Sequence, residues 1–299
     1  MVTGPLYSRW VAALTIGIVS PGAMGSAVGA AYAAGGARVV ATVAGRSTRT
    51  RELAAAAGLE LLPGLDDVVR HAEVVLSIVP PEHALVVAED IAAAARRVDS
   101  DPLVADLNAI APATARELAQ RLAGSGLDVV DGSISGGPPH PDRSTRIYLA
   151  GSRAAELAGL PAPGIDPRIV GVEIGLASAV KMSTASVYKG VTGLMAQALL
   201  TAHANGVLAH VLDDLRGGVP ELCEGAAFSL ARAATKSGRY VAEMREIAAA
   251  QTAAGLPREL FEGFAAVYAA LAETSLGRET PESIAPEVAL EDVLAALRP

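Results

Sequence analysis

The stretch TIGIVSPGAMGSAVG, Thr15 to Gly29, restricts the possible folds more than any other part of the chain. An apolar run breaks into a glycine-bearing turn and resumes as a pattern of small residues. A strand, a sharp turn and a helix whose N-terminus faces the turn form the arrangement that holds a pyrophosphate on backbone N–H groups. Here Thr15–Val19 is the strand, Gly22 lies where backbone approaches the anion, and Gly25 lies where helix packs on strand. The G-x-G-x-x-G spacing lacks its first glycine, replaced by Ser20, so the turn is made with a side chain present. Pro21 beside it fixes its own φ. An ordinary strand–loop–helix with incidental glycines is the competing account.

The chain beyond Gly29 favours the phosphate-binding turn. To about residue 170, short β-rich runs alternate with amphipathic stretches. Strands are expected at Thr15–Val19, Arg38–Val43, Val74–Val79, Leu103–Leu107, Asp128–Asp131, Arg146–Ala150 and Arg168–Val172, with helical patterns at Arg49–Ala57, Pro81–Arg97 and Pro112–Ala123. Most of the strands are continuous apolar runs, as in a sheet covered by helices on both faces. The alternation predicts an α/β, doubly wound, mainly parallel sheet of Rossmann type. After Gly175 the strand signals stop, and one helix of about 30 residues begins, beyond the usual globular length. Three or four more helices follow to Leu297. The expected organisation is a dinucleotide-binding domain over residues 13–172 and an all-α substrate and dimerisation domain over residues 173–299.

Composition narrows the function classes. The net charge of −8 and the lack of a dense Lys/Arg cluster disfavour nucleic acid as a partner. The apolar run Val11–Val19 falls short of the ~20 residues that span a bilayer, and it lacks the context of a signal peptide, so no membrane partner is expected. A single cysteine, Cys223, leaves no internal disulfide, which fits a reducing cytosol and a cytoplasmic protein. The spacings of His83, His140, His203 and His210 give no paired metal ligands, and no metal is expected. Asp213, Asp214, Glu243 and Glu246 read as solvated helix faces.

The second strand carries the information on which dinucleotide binds. An acidic residue at its end would bond the ribose of NAD, but the segment AGRSTRTRE offers no carboxylate before Glu52. Arg46 and Ser47 stand where a 2′-phosphate would lie, and a guanidinium suits bidentate phosphate contact. NADP (NADPH) is the expected cofactor. Only three lysines occur in the chain, and Lys181 lies early in the long helix among Ala, Val and Met. Thr184, Ala185 and Tyr188 share its helical stripe, and Lys189 stands near enough to reach the rim of the same cleft. Partial burial would depress a lysine pKa and suit it to proton transfer near neutral pH. From spacing alone, however, a lysine snorkelling at a domain junction is the preferred account of Lys181, and Tyr188 reads as core or interface.

Taken with their order along the chain, four segments resemble those of the β-hydroxyacid dehydrogenase superfamily, which includes 3-hydroxyisobutyrate and 6-phosphogluconate dehydrogenases and has the imine reductases as relatives. IGIVSPGAMG is similar to the family's G-x-x-G-x-G-x-M-G turn, with Gly17, Gly22, Met24 and Gly25 kept. DLNAIAP, from Asp106 to Pro112, resembles the D-x-S-T-x-x-P loop, with Asn108 and Ala109 in place of hydroxyls. DGSISGGPP resembles the substrate-binding D-x-P-V-S-G-G segment and keeps Ser135, Gly136 and Gly137. GLASAVK is similar to G-x-G-x-x-x-K, with Gly175 and Lys181 kept and Ala177 departing. The resemblance covers roughly Thr15 to Leu294. The two asparagines that usually follow the lysine are Thr184 and Ala185 here, which argues against a simple 3-hydroxyisobutyrate-type substrate. The nearest pattern is a 6-phosphogluconate-dehydrogenase-like subgroup whose C-terminal domain has no assigned role. True 6-phosphogluconate dehydrogenase is a much longer chain.

The resemblance implies a reaction and the residues for it. Hydride passes between the nicotinamide and a small β-hydroxy acid or its oxo form, with Lys181 as general acid/base and Tyr188 as a second proton-donor candidate. Ser20, Pro21, Gly22, Ala23, Met24, Gly25, Arg46, Ser47, Val79, Pro80 and Asn108 would hold the cofactor. Ser135, Gly136, Gly137 and Lys189 would hold the substrate. It further implies a homodimer with each active site between the domains. Imine reduction is the rival chemistry, and a cofactor-binding protein without turnover is a third reading.

Overall fold

The computed structural model describes residues 14–140 and 142–298. The expected domain start at residue 13 and the first residues of the Val11–Val19 run lie outside them. The chain divides into two compact units between Lys181 and Met182.

In the first unit the strands are β1 (Thr15–Val19), β2 (Arg38–Thr42), β3 (Glu60–Leu62), β4 (Val74–Ser77), β5 (Leu103–Asp106), β6 (Val129–Ser135), β7 (Thr145–Ala150) and β8 (Ile165–Gly171). The helices among them are α1 (Ala23–Ala34), α2 (Thr48–Ala56), α3 (Leu65–His71), α4 (Ala84–Val98), α5 (Pro112–Ala123) and α6 (Ala154–Ala158). The sheet order is β3-β2-β1-β4-β5-β6-β7-β8, with the first six strands parallel. β7 turns back antiparallel to β6, and β8 runs parallel to β7. Strand order reverses between β1 and β4, so the crevice at their carboxyl ends is the switch point where ligands of such sheets bind.

Period-two alternation explains the two cores. Ile16, Ile18, Val74, Leu76, Leu103 and Ala105 face one layer of packing, while Val75 and Val104 face the other with Ile91 of α4 and Leu118 of α5. A Cβ on Gly17 would stand 2.7 Å from Val68 Cγ1, so glycine at this point of β1 lets α3 lie close on the sheet.

β3 escapes the sequence pattern because it is only three residues long and mostly exposed. Its place beside β2 is marked by Glu60, whose carboxylate accepts bonds from Arg38 at 2.8 and 2.6 Å. β6 is longer than the expected Asp128–Asp131 because the antiparallel pairing with β7 carries it on to Ser135.

The long helix α7 (Leu176–Ala204) begins in the first unit and continues through the boundary. Beyond it the second unit contains α8 (Leu208–Gly218), α9 (Pro220–Cys223), α10 (Ala226–Ala234), α11 (Ser237–Ala253), α12 (Glu259–Ala272) and α13 (Leu290–Ala296). These six helices among the described residues exceed the three or four expected, since α9 and α13 are too short to show a hydrophobic period. No helix among the described residues is long and apolar enough to cross a membrane.

Candidate active site

The glycine turn sits at the carboxyl end of β1. Ser20 has φ +66°, so it adopts the left-handed conformation that the missing glycine would take without strain. The Ser20 carbonyl accepts the Gly22 N–H at 2.8 Å, closing the turn. A Cβ on Gly25 would come within 2.6 Å of that same carbonyl oxygen, whereas one on Gly22 would meet nothing within 4 Å. Gly25 thus allows the turn to fold onto α1, and the backbone at Gly22 faces open space. Ser26 Oγ donates to Pro21 O at 2.6 Å and pins the turn from below. The first turn of α1 has no side-chain cap and no acidic residue, so its positive end is available to an anion. Ala23 is exposed and Met24 packs partly into the core. These features fit a dinucleotide pyrophosphate.

Neighbouring strands bring the other candidates to the same edge. Beyond β2, Gly45 at φ +69° turns the chain and Arg46 is exposed. Ser47 is the N-cap of α2 and accepts from Thr50 N at 3.3 Å, so its hydroxyl already has a structural partner. Val79 and Pro80 follow β4, and Asn108 follows β5.

Asn108 requires a correction. The sequence suggested a side chain offered to the cofactor, but it is 2% exposed. Its Oδ1 accepts the Val79 N–H at 2.6 Å, and its Nδ2 donates to Ser77 Oγ at 3.3 Å and to Asp106 Oδ1. The amide braces the ends of β4 and β5, and the Asn108 backbone N–H reaches Asp106 Oδ2 at 3.4 Å.

At the end of β6, Ser135 is half-exposed and Gly136 and Gly137 are exposed, with Gly136 at φ +112°. Lys181 Nζ donates to Ile134 O at 2.7 Å, so the ammonium lies against the residue preceding this segment. The start of α7 is fixed on the same strand. Asp131 Oδ2 accepts the N–H groups of Gly175, Ala177 and Ser178 at 2.8, 3.0 and 3.3 Å, and its Oδ1 accepts Ser178 Oγ at 2.7 Å. Ser133 Oγ donates to Ala177 O at 2.8 Å. Gly175 has φ +102°, and a Cβ there would stand 2.7 Å from Arg116 Nη1 and 3.1 Å from Pro112 O. Glycine is therefore required where the DLNAIAP and GLASAVK segments meet. Sequence reading missed Asp131, Ser133 and Ser178, although the D-x-S-x-S alternation of β6 could have signalled a polar face.

The remaining candidates belong to the second unit. Tyr188 is 69% exposed on α7. Lys189 Nζ pairs with Glu243 Oε2, lies 4.3 Å from the centroid of the Tyr240 ring, and is mostly covered. An ammonium held in this way ties α7 to α11 and is not free for a substrate, as the rim position had suggested. Glu243 likewise departs from the solvated face expected of it: it is 6% exposed and bonded to both Lys189 and Arg239. Among the described residues, no three His, Cys, Asp or Glu side chains gather to hold a metal ion.

A mainly parallel sheet with a glycine turn at its switch point, followed by an all-α unit, is the arrangement of the NAD(P)-dependent dehydrogenases and reductases, the class to which this chain's relatives belong. Residues 15–160 match the family model of the NAD-binding domain of 6-phosphogluconate dehydrogenase, and residues 202–271 match a domain of unknown function, DUF1932. The two matches together support a member of the β-hydroxyacid dehydrogenase superfamily, with a DUF1932 domain in its C-terminal half. A conserved protein of unknown function, described as structurally similar to 3-hydroxyacid dehydrogenases, is 27% identical with a TM-score of 0.64, over 87% of this chain and 97% of its own. An uncharacterised 28.5 kDa protein of Methanothermus fervidus is 24% identical over 58% of this chain, and the match spans 65% of that relative's length. The fold is also shared with Mycobacterium tuberculosis 3-hydroxyisobutyrate dehydrogenase bearing L-serine (TM-score 0.66, 19% identity, 96% and 100% of the two chains) and with a Myxococcus stipitatus imine reductase in complex with NADP+ (TM-score 0.52, 19% identity, 95% and 100%).

Proposed function

We propose that the chain is an NADP-dependent oxidoreductase acting on a small β-hydroxy acid or its oxo form, with Lys181 as the general acid/base. The observation that carries this reading is the contact of Lys181 Nζ with Ile134 O, which puts an ammonium beside Ser135–Gly137 at the sheet edge that also bears the glycine turn. When bound, the cofactor would supply or accept the hydride. The chain's own part is to hold and move a proton. In reduction, the Lys181 ammonium gives a proton to the oxygen of the substrate carbonyl; in oxidation, its amine takes the hydroxyl proton back. The Ser135 hydroxyl and the backbone N–H groups of Gly136 and Gly137 orient the substrate. The α1 N-terminus and the Ser20–Gly25 turn hold the pyrophosphate, and Arg46 holds the 2′-phosphate.

A second reading, imine reduction, draws on the shared fold of the imine reductases and on Thr184 and Ala185 in place of the usual asparagines. A lysine can protonate a nitrogen as well as an oxygen, so both chemistries use the same residue. The exposed Val187 and Leu194 of α7, at 61% and 58%, support a homodimer that covers this helix.

The test is Lys181→Met assayed with NADPH against β-keto acids and cyclic imines. NADPH binding is expected to stay within about twofold of wild type, while turnover falls by roughly a hundredfold or more, the usual size of a general acid/base contribution. Retained turnover would remove Lys181 from the chemistry. Parallel loss of binding and turnover would make it a structural residue.

A further inference from the structure

Strand β6 has two faces of different chemistry. Val130 and Ile134 join one core layer, and a Cβ on Gly132 would collide with Leu107 Cδ2 on that side. The side chains of Asp131 and Ser133 alternate onto the other face and, among the described residues, bond to the start of α7. Ser135 is the next residue in that row and opens the Ser135–Gly137 segment. On the side of the first turn of α7 that meets β6 the side chains are small: Ala177 and Ser178 are both completely buried, and neither is large enough to interlock. The polar hold on this side is the Asp131 carboxylate, which collects three N–H groups and a hydroxyl. A carboxylate at a helix N-terminus is also favourably placed in the field of the helix. Lys181 follows Ala177 by four residues and Ser178 by three, so its side chain emerges on the face being held.

We propose that Asp131 and Ser178 are the positioning residues of Lys181. The carboxylate locks α7 on β6 in the rotation that brings the ammonium to Ile134 O and the Ser135–Gly137 segment. The proposal rests on the reading of Lys181 as the proton-transfer group, and the sequence pattern of the strand encodes it as D-x-S-x-S. In chemical terms Asp131 touches neither substrate nor cofactor. It acts by fixing where a flexible side chain begins, as the groups supporting a preorganised site must.

With only three lysines in the chain, the experiment can be read residue by residue. Wild type, Ser178→Ala and Asp131→Asn are labelled with trace acetic anhydride across a pH series, and acetylation of Lys181, Lys189 and Lys236 is followed by peptide mass spectrometry. Amide exchange over residues 175–181 and NADPH affinity are measured in parallel. In both variants, exchange at 175–178 should quicken by roughly five- to tenfold, the effect of losing about one hydrogen bond. The Lys181 acetylation rate should change severalfold and the midpoint of its pH profile should move. Lys189, Lys236 and NADPH affinity should be unaltered.

Faster exchange with an unchanged Lys181 profile would overturn the proposal, because the bonds would then be a helix cap and nothing more. Unchanged exchange would overturn it as well. If Asp131→Asn fails to fold, Ser178→Ala decides alone, since it removes one of the four bonds. The outcome is independent of Lys181→Met: turnover surviving in that variant sinks the catalytic reading, while the labelling still reports whether the lysine is positioned.

Discussion

Asp106 and Asp131 stand side by side as register partners of β5 and β6, each 1% exposed, yet their surroundings differ. Asp131 has four donors around it. Asp106 has the backbone and side-chain N–H groups of Asn108, one of them at 3.4 Å. Burial pushes the Asp106 carboxyl up to about 8; the bonds from Asn108 oppose the shift, and the Asp131 charge adds to it.

That shift has a sign in stability. The folded chain keeps a proton on Asp106 that the unfolded chain, with its carboxyl near the ordinary 3.8, releases from about pH 4 upward. The stabilisation from this group is complete below pH 4 and is lost as pH rises through about 8. Asp106→Asn, a neutral replacement, should therefore gain on wild type in urea midpoint between pH 5 and pH 9. Parallel curves for the two proteins would show that Asp106 carries no such proton.

Ser20 at φ +66° supports a prediction about the turn. A non-glycine residue in this conformation costs about 1–2 kcal/mol, and glycine gives back part of the gain through its freer unfolded chain. Ser20→Gly should stabilise the protein by about 0.5–1 kcal/mol in chemical denaturation and leave NADPH affinity intact or better. Gly25→Ala should do the reverse, because its Cβ would stand 2.6 Å from the Ser20 carbonyl; an affinity loss of roughly tenfold is expected. An unaffected Gly25→Ala would mean that the turn does not bear on the cofactor.

The difference between what sequence reading reached and what it missed has a physical basis. β1, β4, β5 and α7 are long or uniformly apolar, so their period and burial agree and their positions are legible. β3 has three residues and almost no buried face, and α9 and α13 are too short for a helical period to emerge. The positions fixed by close approach or backbone conformation, Gly25 for the first and Gly136 and Gly175 for the second, were visible because glycine marks them. Asn108, Lys189 and Glu243 were misread for a common reason. Whether a polar side chain faces a ligand or a buried partner depends on residues distant in the chain: Val79 for the first, and each other for the second and third.

The Lys189–Glu243 pair makes that point testable. The two side chains are 15% and 7% exposed, and Tyr240 covers the ammonium. Tyr268, which meets Tyr240 edge-on at 5.2 Å, donates its hydroxyl to Lys189 O at 2.7 Å. Removing one partner leaves a buried charge, so Glu243→Ala should cost about 3–5 kcal/mol. Lys189→Met with Glu243→Leu should recover most of that loss in the same denaturation assay, because a packed apolar pair needs no compensation. A mild Glu243→Ala would mean that solvent reaches the ammonium once the carboxylate is gone.

On the proposed NADP reading, Arg46 is the residue that selects the cofactor. It lies exposed just past β2, where NAD-preferring sheets place a carboxylate, and the Ser47 hydroxyl beside it is engaged in capping α2, so the guanidinium carries most of the expected discrimination. Charge-assisted bonds to phosphate are worth about 1.5–3 kcal/mol. Arg46→Ala should thus weaken NADPH binding by roughly ten- to a hundredfold in a fluorescence titration, while NADH binding stays the same. Because Arg46 is exposed, the wild-type preference should also shrink as salt is raised. Equal weakening of both nucleotides would point to a damaged turn instead of a lost phosphate contact, and a wild type that binds NADH as tightly as NADPH would remove the NADP assignment altogether.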